Sequence, residues 1–202
     1  MIALVVVAVF FVGLWFSGER VEAGWLRFYS GAVMLAGFVL AGYDRWLWRW
    51  KPLQRLRIVP PDLHGTWKGT LASAWINPAT GQGIPPKTAY LVVRQRALSV
   101  TVTMLTDESR SNSTLGRVSR IDGSCRLDYL YLNRPDLRVE HRSRMHHGST
   151  VLDAAGTPAE RLHGRYWTDR DSKGELSFAE RRPAYADDFT AAEELFSSAN
   201  TP

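Results

Sequence analysis

The chain has 202 residues, with 25 Lys and Arg against 20 Asp and Glu, for a net charge of +5. A single cysteine, Cys125, excludes an internal disulfide and a thiolate zinc cluster, in keeping with a reducing compartment. The positive balance suits an anionic surface or a phosphate-bearing ligand.

The first element, Ile2–Phe16 (IALVVVAVFFVGLWF), carries no charge, and Trp25–Tyr43 carries only Arg27. Both are at or below the ~20 residues that span ~30 Å of hydrocarbon, so two short membrane spans are predicted, with some bilayer thinning or snorkelling. A cleaved signal peptide is the alternative for the first, but a basic n-region and an A-x-A cleavage site are missing. Ser17–Gly24 between the spans holds one Arg and two Glu, whereas Arg45, Arg49, Lys51, Arg55 and Arg57 follow the second. The positive-inside rule then predicts a multi-pass protein of the bacterial inner membrane with its C-terminal part in the cytoplasm. Trp46, Trp48 and Trp50 interleave with those charges as an interfacial belt does, facing anionic lipid of the bilayer rather than DNA or RNA. Ala32, Ala36, Gly37 and Ala41 are spaced for close helix contact. The expected organisation is a two-helix anchor with its juxtamembrane belt over 1–57 and one soluble domain over 58–202.

From Leu63 onward short apolar or alternating runs recur between turn residues, the pattern of an all-β sandwich or barrel. Strands are predicted over 63–75, 89–96, 98–106, 111–121, 125–133, 139–152, 160–168 and 174–182. Turns are predicted at Asn77–Pro78 to Pro85–Pro86, Asp122–Gly123, Arg134–Pro135 and Asp171–Lys173. Eight antiparallel strands close a small up-and-down barrel whose interior holds side chains or one small ligand; an open sandwich is the alternative. LHGTWKGTL at Leu63–Leu71 echoes LHGRYWTD at Leu162–Asp169, which favours closure of first strand on last. The tail Asp187–Ser198 reads as a short helix, either capping a barrel mouth or solvated.

The candidate chemistry is that of binding. His141 and His147 would share one face of a predicted strand with His146 on the other, but zinc needs three or four converging ligands and no carboxylate or cysteine stands at suitable spacing. No G-x-S-x-G elbow, P-loop or G-x-G-x-x-G appears, and Cys125 has no base beside it, so an enzyme is the weaker class and no cofactor is expected. Ser109, Ser111 and Ser113 alternate along one strand face, where small hydroxyls leave room for a polar ligand. Arg94 and Arg96 share a strand face and offer bidentate contacts to phosphate. Tyr129 and Tyr131, with Trp67 and Trp167 in the two echo segments, offer stacking surfaces for bases.

With its paired N-terminal apolar segments, LHGTWKGTL, TDESRSNST, YLYLNRPDLRVEHRSRMHHGST and LHGRYWTDRDSKGELSF, the chain resembles the two-transmembrane, β-strand-rich effectors of CBASS, the bacterial cyclic-oligonucleotide-based antiphage signalling system. The more specific motifs are the N-x-P turn at Asn133 and Pro135, the S-x-x-H-x-G run at Ser143, His146 and Gly148, and the hairpin carrying Gly164, Tyr166, Trp167, Thr168, Arg170 and Gly174. Of these, Asn133, His146, Tyr166, Thr168 and Arg170 join the candidate ligand-binding residues. The resemblance implies a cytoplasmic minimal β-barrel that binds a cyclic dinucleotide made by a partner nucleotidyltransferase. Ligand would drive homo-oligomerisation, and the assembled spans would disrupt the inner membrane and kill the infected cell. A membrane-tethered lipocalin-like lipid carrier and a membrane scaffold with a filled barrel are the alternatives.

Overall fold

A computed structural model describes residues 11–12, 15, 23–56, 58–77, 80–121, 123–141, 143–156 and 158–198. The predicted first span and the following hairpin lie almost wholly outside the described residues, as do Pro78 and Asp122 of the predicted turns. The chain divides into two compact units, Met1–Trp48 and Arg49–Pro202.

In the first unit, helix α1 runs over Ala23–Arg45. It takes up the whole predicted second span, yet no helix among the described residues is long and apolar enough to cross a membrane. Arg27, Ser30, four glycines and a terminal Asp44–Arg45 dilute the apolar run of this 23-residue helix. The two-span anchor, and the multi-pass inner-membrane location that rested on it, are corrected accordingly.

The second unit opens with α2 over Lys51–Arg55, started by Pro52 in its first turn. Eight strands follow: β1 Gly65–Ser73, β2 Lys87–Gln95, β3 Val100–Leu105, β4 Ser109–Ile121, β5 Ser124–Pro135, β6 His146–Ala155, β7 Arg161–Thr168 and β8 Lys173–Arg182. Each pairs antiparallel with its neighbour, and β8 returns to β1, closing the barrel. The echo segments therefore do not pair with each other; they fall on β1 and β7, which flank β8 so that Gly69 and Leu162 both pair with Phe178. The predicted sixth strand begins too early. Leu137–Val139 forms a 3-10 turn, and β6 starts only at His146, which leaves His141 outside the strand.

Alternation sorts each strand into an inner and an outer set. Ala89, Leu91 and Val93 of β2, Val102 and Met104 of β3, and Leu127, Tyr129 and Tyr131 of β5 point inward to one core with Trp67, Leu152, Leu162, Leu176 and Phe178. Tyr90 and Val92 point outward from β2 and are buried nonetheless, because helix α3, Phe189–Ser197, packs over them with Ala192 and Phe196. The tail thus neither caps a mouth nor lies free in solvent. Asp188 caps α3 by accepting a bond from Ala191 N at 2.8 Å, and Thr66 Oγ1 ties the approach by bonding Ala184 O and Ala186 N.

Candidate functional site at the open mouth of the barrel

The two ends of the barrel are finished differently. One end is plugged. Gln95 holds Leu63 N and Pro61 O through its side-chain amide, and Trp67 Nε1 donates to Leu63 O at 2.9 Å, fixing the strap before β1. Arg181, the cross-strand partner of Trp67, locks that strap. Its guanidinium donates to His64 O and Asp62 O, lies 3.3 Å from the Asp62 carboxylate, and stacks 5.2 Å from the centre of the Trp67 ring. Burial raises the Asp62 pKa, but the His64 hydrogen bond and the charges of His64 and Arg181 outweigh it and hold the carboxyl below its ordinary value.

The other end is open. A cavity of about 180 Å³ enters between the start of β2, the β3–β4 turn, the end of β5 and the start of β6. Six of the sequence-chosen residues meet there: Ser109, Ser111, Tyr131, Asn133, His146 and Tyr166. Strand alternation explains the convergence, since Ser109 and Ser111 pair with Pro135 and Asn133, and Asn133 in turn pairs with His146. Ser111 Oγ donates to Asn133 Oδ1 at 2.7 Å, which leaves the Asn133 –NH2 as donors. His146 Nδ1 lies 2.9 Å from the Arg144 carbonyl, an atom that only accepts, so the neutral ring carries its proton there and offers Nε2 as an acceptor.

The floor is aromatic. Tyr131 and Tyr166 lie flat against the wall because their cross-strand neighbours are Gly148 and Gly174. A Cβ at 148 would come within 2.3 Å of the Tyr131 ring, and one at 174 within 2.6 Å of Tyr166. Burial pushes both phenols above their ordinary range, with the Ser73 hydroxyl pulling Tyr166 part of the way back. They stay protonated and offer hydrogen-bond donors to the cavity.

The remaining candidates lie elsewhere. Trp67 belongs to the plug. Tyr129 sits one layer below Tyr131, its ring centre 5.9 Å away. Ser113 turns its Oγ to Val102 N at 2.8 Å and bridges β3 to β4 beside a bulge. Arg94 is on the outer wall, 3.1 Å from Asp187 and over the Tyr185 ring. Arg96 borders a cavity of about 110 Å³ at the β2–β3 turn, the far end from the mouth. Trp167 points outward, and Thr168 closes the β7–β8 turn against Ser172. Arg170 braces the rim by donating to Ser143 Oγ and Arg144 O.

Sequence reasoning missed Lys87, Glu108 and Ser73 in the mouth. Lys87 was legible: it stands in phase with Ala89, Leu91 and Val93, and running the strand back to Pro86 brings it inside. Leu71, Ile84, Met104 and Val139 add apolar surface, so the mouth combines flat apolar walls with hydroxyl, amide and ammonium donors. That mixture suits a ligand with aromatic faces, hydrogen-bonding edges and anionic linkages.

Comparison with known proteins points the same way. Residues 58–180 match the family described as Cap15, cyclic dinucleotide receptor domain. CD-NTase-associated protein 15 of Staphylococcus schleiferi is 28% identical over 155 residues, which cover 77% of this chain and 80% of that protein.

Proposed function

The chain belongs to the Cap15 cyclic dinucleotide receptor domain family, and from that premise we propose that it is a CBASS effector whose open mouth takes up a cyclic dinucleotide made by a nucleotidyltransferase. The observation that carries the assignment is the convergence of Ser111, Asn133, Tyr131, Tyr166 and Lys87 on one cavity at one end of the barrel. The two phenols provide stacking surface and hydrogen-bond donors, the Ser111–Asn133 pair reads a base edge, and Lys87 meets a phosphate. The role is that of a receptor, with the phenols held protonated by burial and available as hydrogen-bond donors. Ligand in the mouth favours self-association, which is the effector step of antiphage defence.

Calorimetric titration of the full chain with cyclic di-AMP, cyclic di-GMP, cyclic GMP–AMP and cyclic di-UMP tests the assignment. Saturable binding of at least one, weakened by Asn133→Ala and accompanied by a rise in mass in light scattering, is the expected result. Equal affinity in wild type and Asn133→Ala would move the ligand out of the mouth.

A further inference from the structure

We propose that Glu108 is a built-in anion that competes with ligand phosphate for Lys87 and so sets the concentration of cyclic dinucleotide at which the mouth fills; this rests on the mouth being the ligand site. Among the described residues lining the cavity, Lys87 is the one lysine or arginine and Glu108 the one carboxylate. They are bonded to each other, Lys87 Nζ to Glu108 Oε2 at 2.5 Å, with Asp107 Oδ1 a further 3.9 Å contact. Both side chains are about three-quarters shielded from solvent, at 30% and 26% exposure, so screening by water is incomplete.

The carboxylate is carried on a stiff turn. Thr106 Oγ1 accepts from Glu108 N and Ser109 N, and the Glu108 carbonyl accepts from Asp136 N at 2.8 Å. Glu108 therefore stays at the mouth when Lys87 turns away. A cyclic dinucleotide brings two phosphodiester anions. The first to reach Lys87 must draw its ammonium from the carboxylate. The cost is that of breaking the Lys87–Glu108 pair, and it requires Lys87. Neutralising Glu108 while keeping its shape removes the nearer competitor and leaves Lys87 only the 3.9 Å contact with Asp107.

The test is a double-mutant cycle on the full chain, titrated with the same four cyclic dinucleotides. Glu108→Gln is expected to tighten binding about three- to tenfold, the range of an ion pair that need not be broken. Lys87→Met is expected to weaken it about tenfold or more, and the double variant to match Lys87→Met. Glu108→Ala replaces Glu108→Gln should the latter fail to fold. Unchanged or weaker binding in the Glu108 variants overturns the proposal, as does a gain that persists without Lys87, which would make Glu108 a plain repulsive charge. If wild type binds none of the four, the receptor assignment falls and takes this proposal with it; if wild type binds and the cycle shows no coupling, only the competition between Glu108 and phosphate falls.

Discussion

The plugged and open ends of the barrel are made by the same eight strands and the same inward alternation, yet they hold opposite contents. At the plugged end the inward positions are Trp67, Val93, Leu162 and Phe178, and Gln95 and the Asp62–Arg181 pair bond other parts of the protein. At the open end the inward positions are Ser109, Ser111, Asn133 and two tyrosines backed by glycines. Stability is concentrated at the plug and vacancy at the mouth, so the two can be altered separately.

The largest expected effect tests the plug. Trp67→Ala should lower stability by about 3–5 kcal/mol in chemical denaturation, because a fully buried indole and its bond to Leu63 are lost together. A loss below about 1 kcal/mol would erase the contrast between the ends. Asp62→Asn should cost about 1–3 kcal/mol near neutral pH by leaving Arg181 without its charge partner. The Asp62 pKa is lowered in the fold, so its contribution is full above the ordinary value of 3.8 and fades as pH falls through the lower folded value. Denaturation curves of wild type and variant should therefore converge below about pH 4, and a constant gap down to pH 2 would place the effect in packing instead.

At the mouth, Gly148→Ala should push the Tyr131 ring into the cavity and weaken cyclic-dinucleotide binding about tenfold in calorimetry. Unaltered affinity would mean that the ligand does not reach the floor. The smallest effect belongs to the outer wall. Arg94→Ala should change the denaturation midpoint by less than about 1 kcal/mol equivalent and leave ligand affinity unchanged, since its partner Asp187 is 91% exposed. A clear loss of binding would draw the outer wall into the site.

The strand count and the closed barrel were legible because turn chemistry punctuates alternation at most reversals, as at Gly123 between β4 and β5, whereas the predicted Arg134–Pro135 turn lies inside β5. The β5–β6 connection was not, because Val139 and His141 continue the apolar and polar alternation of a strand while the backbone turns through Leu137–Val139. Ser109, Ser111 and Tyr131 were chosen by strand face, which period two carries, whereas Tyr166 entered through the hairpin motif of the resemblance; all four line the mouth. Arg94 of β2 and Arg96 just beyond it were chosen for a shared face, and Arg94 lies on the outer wall beside Asp187. Arg94 alternates with the inward Val93, and only the closure of the barrel decides which of the two faces is the lumen. The membrane reading of 25–43 rested on apolar content, against which Arg27 and the glycines of α1 weigh.

Helix α3 has a bearing on the mouth that its distance from it conceals. It covers Tyr90 and Val92, and so β2 is gripped on both faces, by the core within and by the helix without. Slippage of β2 by one residue would turn Tyr90 and Val92 into the lumen, strip α3 of its seat, and swing Lys87 from the cavity to the outer wall. The C-terminal helix is in this sense a register lock, and the lysine at the mouth keeps its place because two aromatic residues of a distant helix, Phe189 and Phe196, pack on Tyr90 at 5.3 and 5.7 Å.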